Sequence, residues 1–230
     1  MRIDNDYPEV FAVDSQNSTD LTAWWDTLGP EWVRVNLVTD ALGNTVGETG
    51  SSSDLSGPGD RASLTALREL ADVVLIGGAT VRAEPDSVPR KGDVVIVSKS
   101  GNIPLDAIKR ARGTVTVLHA QSGKAPNATT GVVLPRFTGA AIIAAVRKLG
   151  YRRIVCDGGL ALVHTLLDAD VVDEWCQTLS PRLGVSTPGL VAPDVGGSLS
   201  NVAHDADGYH YTRRRLGGAP QKRQSSPTLD

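Results

Sequence analysis

Two places in the sequence join a short apolar run to a pair of glycines and then to polar side chains. The first is Val73-Val74-Leu75-Ile76 followed by Gly77-Gly78, with Thr80, Arg82 and Glu84 just beyond. The second is Arg153-Ile154-Val155-Cys156-Asp157 followed by Gly158-Gly159 and a helical apolar pattern over Leu160–Leu167. An unbroken apolar run of this length fits a strand buried on both faces. Glycines at its carboxyl end let the backbone approach a ligand and leave N–H groups to meet it, which is where open α/β sheets hold nucleotides. One such junction, taken alone, reads better as a plain Gly-Gly turn with no ligand. Two in one small chain point to a phosphate-rich ligand shared between them.

Other chemistries find little support. The four histidines, at positions 119, 164, 204 and 210, lack metal-ligand spacing and have no cysteine cluster nearby, so no metal site is expected. No Ser/His/Asp arrangement stands out, the H-x-E with P-C-x-x-C of a base deaminase is absent, and neither glycine pair extends to G-x-G-x-x-G. Cys156 and Cys176 each sit in an apolar strand pattern and read as reduced core residues. A net charge of −3 and a pI near 5.8 give no general basic field for nucleic acid or a membrane surface. No apolar stretch approaches the ~20 residues of a bilayer span, and the N-terminus lacks the apolar core of a signal peptide. A cytoplasmic location and a small-molecule substrate are the expectation.

The 230 residues, 40 % of them hydrophobic, suit one domain with peripheral segments. Residues 1–30 form a polar extension with anchors at Tyr7, Phe11, Trp24 and Trp25 and a short helix near residues 21–28. A larger domain over 31–216 and a polar, disordered tail over 217–230 complete the division. Within the domain, residues 32–38 read as the first strand, and residues 39–56 as a long polar loop, either a lid or disordered. Pro58 opens a helix carrying Leu64, Leu67 and Leu70, and the central strand follows. Strands are expected at 93–98, 114–118, 132–134, 153–156 and 172–179, with helices at 104–111, 140–149 and 160–167. Asp207-Gly208 marks the turn of a closing hairpin. The class is therefore α/β: a mostly parallel, mixed sheet flanked by helices, with a C-terminal antiparallel hairpin.

Residues 32–84 and 154–181 carry a resemblance. V-R-V-N-L-V, the L-S-G-P-G-D-R to L-R-E-L-A-D run, V-L-I-G-G-A-T-V-R-A-E, and D-G-G-L-A-L-V through V-D-E-W-C-Q-T-L-S-P follow one another in order. Together they resemble the C-terminal reductase domain of the bifunctional riboflavin-biosynthesis deaminase/reductase, a dihydrofolate-reductase-like family. The resemblance implies NADPH as cofactor. It puts Val38, Thr80 and Glu84 at the nicotinamide half, and Gly158, Gly159 and Leu160 at the diphosphate, with a cis peptide often found in such a glycine pair. Ser98 and Lys99 are candidates for the adenosine 2′-phosphate, or equally a solvated strand end. Ser52, Arg68 and Asp157 fall at the family's phosphoribose-binding positions, although Arg68 beside Glu69 also fits a surface ion pair.

The resemblance breaks at the family's S-x-D-G turn. Here it reads Thr39-Asp40-Ala41-Leu42-Gly43, with Leu42 where the aspartate stands. Asp40 and Asp157 are then the candidate proton donors. The Pro85 to Lys91 segment also departs from the family's order. The expected activity is hydride transfer to 5-amino-6-(5-phosphoribosylamino)uracil or a related pyrimidine or pteridine. A dihydrofolate-like pteridine reductase and a non-catalytic NADPH-binding regulatory module are the alternatives. A homodimer is expected, with the C-terminal strands as a sheet edge that a second copy would cover.

Overall fold

Hydrophobic patterning sets the layers. The computed structural model describes residues 10–13, 18–26 and 28–217. Its strands are β1 (Val10–Ala12), β2 (Trp32–Thr39), β3 (Val73–Gly77), β4 (Asp93–Val97), β5 (Val115–His119), β6 (Thr130–Val133), β7 (Arg153–Cys156), β8 (Glu174–Leu179), β9 (Ser198–His204) and β10 (His210–Arg215). The helices are α1 (Ser18–Trp25), α2 (Pro58–Leu70), α3 (Gly78–Ala83), α4 (Leu105–Arg110), α5 (Gly139–Lys148) and α6 (Leu160–Leu167). One sheet runs β1-β9-β10-β8-β2-β7-β3-β4-β5-β6, and every pairing is parallel except the two made by β10.

The alternation along β3 explains why both its faces are apolar. Val73 and Leu75 join the core beneath α5 and α6, while Val74 meets α2 and Ile76 meets α3 and α4. Helix α5 turns Ile142, Ile143 and Val146 inward, and its N-cap Thr138 accepts a hydrogen bond from Ala141 N at 3.3 Å. On the opposite face, Leu21 and Trp25 of α1 pack with Leu67 and Leu70 of α2.

Several expectations are corrected here. Residues 39–56 are not a free loop. Asn44 forms a β-bridge with Val191, Thr45 N donates to Leu190 O at 3.1 Å, Val185 N donates to Val46 O, and Ser52–Asp54 form a 3-10 turn. The N-terminal helix starts earlier than its apolar residues suggested. Strand β1 and helix α3 are additions that residue patterns too short for a periodicity reading concealed. Nor is β8 a sheet edge: it lies between β10 and β2, and β9 is covered by β1. Tyr7 and residues 218–230 lie outside the described residues.

Candidate active site

The carboxyl ends of β7 and β3 converge. Gly77 N donates to Gly158 O at 2.9 Å, and the Gly158–Gly159 peptide is cis, with Gly158 at φ +93°. A Cβ on Gly159 would lie 2.3 Å from Thr80 Oγ1, so the start of α6 and the first turn of α3 touch at a point that only glycine fits. Gly78 is equally tight against Ser98, 2.6 Å from its Cβ. No side chain caps α6, and its first N–H groups have no intrahelical acceptor. An uncapped helix start beside a glycine pair that carries no side chains fits a nucleotide diphosphate.

The expected cofactor residues are gathered unevenly. Thr80, Gly158, Gly159 and Leu160 share this junction, and Leu37 Cδ2 lies 3.4 Å from a Cβ built on Gly158. Val38, its neighbour in β2, is half-buried. Ser98 is buried under Gly78, and exposed Lys99 places Nζ 6.0 Å from the centre of the Phe137 ring. Glu84 turns to the β2–α2 connection instead, where its carboxylate accepts from Ser52 Oγ at 3.0 Å and from Ser52 N and Ser51 Oγ, each at 3.2 Å. Ser52 and Glu84, expected on substrate and cofactor sides, are thus joined to each other.

Arg68 and Asp157 are also paired. Arg68 Nε donates to Asp157 Oδ2 at 2.7 Å, Nη2 is 2.6 Å from the same oxygen, and Nη2 also reaches Ser87 O at 3.2 Å. The surface pair with Glu69 is therefore not what holds Arg68. Asp157 Oδ1 is buried and makes no hydrogen bond among the described residues. Burial pushes the Asp157 carboxyl above its ordinary value, with Arg68 opposing and Asp60 adding to the rise.

Asp40 has different work. Its buried carboxylate accepts from Asn44 Nδ2 at 2.7 Å, from Leu42 N and Asn44 N at 2.8 Å, and from Gly184 N at 2.9 Å. Burial favours the neutral form, but those four hydrogen bonds outweigh it and hold the carboxyl below its ordinary value. A carboxylate so engaged ties two loops together and is a poor proton source. Leu42 is 74 % exposed and turned to solvent.

Sequence reasoning missed Asp60. It is buried in the first turn of α2, where Ser56 Oγ donates to its Oδ2 at 2.6 Å and Thr178 of β8 is near enough to favour its charged form. Burial raises its carboxyl above the ordinary value; Ser56, Thr178 and Arg61 oppose this, and Asp205 reinforces it. The G-P-G-D-R run held the signal, since an acid there faces inward once Pro58 fixes the helix start. Among the described residues no group of His, Cys, Asp and Glu could hold a metal ion, and no helix is long and apolar enough to cross a membrane.

Known structures share this fold. A pyrimidine reductase-like protein from Corynebacterium diphtheriae superposes with a TM-score of 0.69 at 16 % identity, covering 86 % of this chain and 98 % of that one. The Thermotoga maritima diaminohydroxyphosphoribosylaminopyrimidine deaminase/5-amino-6-(5-phosphoribosylamino)uracil reductase gives 0.68 at 16 % identity, over 81 % of this chain. The chain spans only 57 % of that bifunctional protein. The riboflavin biosynthesis reductase Rib7 of Saccharomyces cerevisiae gives 0.63 at 17 % identity, over 88 % of this chain and 97 % of that one. No curated protein sequence matches the chain. The sequence family of the RibD C-terminal domain matches residues 31–192, most of the described sheet, and the chain belongs to that family.

Proposed function

We propose that the chain is an NADPH-dependent reductase of the riboflavin-pathway type, acting on 5-amino-6-(5-phosphoribosylamino)uracil or a closely related pyrimidine. Family membership supports the reaction class. The observation that carries the reading is the meeting of an uncapped α6 N-terminus, the Gly158-Gly159 cradle and Thr80 with the Arg68–Asp157 pair. When bound, the nicotinamide supplies a hydride to C1′ of the ring-opened ribose, and a proton goes to the attached nitrogen, leaving a ribityl chain. The protein's share is to align the two ligands and exclude water. Arg68 suits a phosphate dianion through its planar fork of donors, and Asp157 is the better-placed proton source because burial keeps its carboxyl basic. Lys99 and Ser98 are assigned to the 2′-phosphate.

NADPH oxidation in the presence of the phosphoribosylaminouracil, with a dihydrofolate-like pteridine for comparison, tests the assignment. Substrate-dependent oxidation is expected with the former. The engaged state of Asp40 and the outward Leu42 favour one second reading, a module that binds NADPH without turnover. NADPH binding without oxidation of either kind would establish it. Cofactor choice is separable: Lys99→Ala should lower NADPH affinity about tenfold and leave NADH unchanged. An unaltered NADPH preference would remove Lys99 from the site.

A further inference from the structure

Glu84 has no part in the reading above, yet it stands between the two ligand sites. It caps the carboxyl end of α3, where Glu84 N donates to Thr80 O at 2.7 Å. That bond ties it to the turn whose Thr80 side chain lies against Gly159 at the cofactor junction. Its carboxylate reaches away from α3 to the β2–α2 connection. Oε2 accepts from Ser52 Oγ at 3.0 Å and from Ser51 Oγ at 3.2 Å, and Oε1 accepts from Ser52 N at 3.2 Å. The 3-10 turn Pro85–Ser87 follows, closed by Ser87 N donating to Glu84 O at 2.9 Å. Ser87 O in turn accepts from Arg68 Nη2 at 3.2 Å. Residues 80–87 therefore touch the cofactor junction at one end and both Ser52 and Arg68 at the other. A six-residue helix and direct hydrogen bonds form a contiguous link of the kind that carries energy between sites.

This inference rests on the proposed reductase reading. We propose that Glu84 is a positioning residue that couples the two ligands: from the helix that meets the cofactor at Thr80, it holds Ser52 in place for the substrate. The Ser52 hydroxyl and backbone N–H both donate to the carboxylate, which fixes the residue in direction as well as place. Ordering loop groups around a ligand costs free energy, and a ligand that arrives second finds part of that ordering done. NADPH seated against Thr80 and Gly159 thus steadies Ser52 and Arg68 before the sugar phosphate arrives. By linkage, the sugar phosphate must tighten NADPH by the same factor.

The competing role for Glu84 is a plain tie that fastens the β2–α2 connection to α3. Calorimetric titration of the full-length chain with NADPH and with ribose 5-phosphate, each alone and in the presence of the other, separates the roles. NADPH should tighten ribose 5-phosphate about fivefold or more, and the reverse titration should give the same factor. Glu84→Ala should bring that factor close to one. A plain tie would weaken each ligand, or lower the unfolding temperature, and leave the factor where it was. Glu84→Gln keeps the size and an oxygen that can accept from Ser52, so most of the factor should remain. Ser52→Ala removes the other side of the contact and should also bring the factor close to one, which covers the case in which Glu84→Ala does not fold. With both alanines in place, ribose 5-phosphate should bind no more weakly than to Ser52→Ala alone. A factor of one in the natural chain, an undiminished factor in either alanine variant, or additive losses in the double variant would overturn the proposal and leave the reductase reading standing. So would a Glu84→Gln variant that loses as much of the factor as Glu84→Ala, since charge rather than positioning would then carry the coupling. A natural chain that binds neither NADPH nor ribose 5-phosphate would overturn both.

Discussion

Asp40 shows how one side chain can look chemical and act mechanically. Its four hydrogen bonds join residues 42 and 44 to residue 184, which belongs to the connection between β8 and β9. Asp40→Ala should therefore cost about 2–4 kcal/mol in chemical denaturation, since buried donors lose a charged acceptor. The pH dependence has a definite sign. The folded carboxyl sits below its ordinary value, so its contribution is complete above about pH 4 and is lost as pH falls toward the lower folded value. That acid-sensitive component should be missing in Asp40→Asn, and identical acid profiles for the two proteins would contradict the assignment. Gly159 and Thr80 make a second residue-scale case. Gly159→Ala meets Thr80 Oγ1 and should destabilise the protein, whereas Gly159→Ala with Thr80→Ala should regain much of that loss. Strictly additive effects would mean that the crowding lies elsewhere.

At the scale of elements, the N-terminal helix is fastened by buried charge. Glu174 on β8 lies between Arg34 on β2, at 2.8 Å, and Arg213 on β10, at 2.9 Å, and all three are fully buried. The same two arginines donate to the last carbonyls of α1: Arg34 Nη2 to Trp25 O at 2.6 Å, and Arg213 Nη1 to Trp24 O. Cations suit the carboxyl end of a helix, where carbonyls lack intrahelical donors. Arg34 also stacks over Trp32, 4.4 Å from the ring centre. Glu174→Ala would leave two guanidinium groups buried around a lost anion, so a loss of about 3–5 kcal/mol in urea unfolding is expected. Trp25→Ala should cost a similar amount by emptying the space between α1 and α2. If Glu174→Ala left stability unchanged, α1 would be held by its apolar contacts alone.

For the whole molecule, we infer a homodimer, though not through the C-terminal strands, which β1 and β2 cover on either side. The stitched connections after β2 and β8 instead expose Leu42 and Leu183, the latter at 77 %, with Val185 and Val191 nearby in the same loops. Apolar side chains grouped on one surface suit symmetric burial by a second copy. Light scattering at micromolar concentration should give twice the chain mass. Leu183→Lys, at an exposed position with little effect on the fold, should shift it toward the monomer. A natural protein that scatters as a monomer would discard the inference.

The sequence by itself determined the parallel core. Apolar runs at Val73–Gly77 and Arg153–Cys156, each followed by two glycines, can lie only in the middle of a covered sheet, and α6 follows directly from its pattern. It also determined the α2 start at Pro58 and the hairpin turn at Asp207-Gly208, because those residues restrict the backbone locally. Partnership across the fold was not legible. Arg68 could face Glu69 or a ligand, and only the approach of α2 to the end of β7, 89 positions away in sequence, gives it Asp157. Asp40 and Asp60 are both single acids near glycines in the sequence. The tertiary structure made one a saturated loop anchor and buried the other in the first turn of α2 against Ser56. A side chain's chemistry depends on which donors surround it and how much water is removed, and contacts between distant segments decide both.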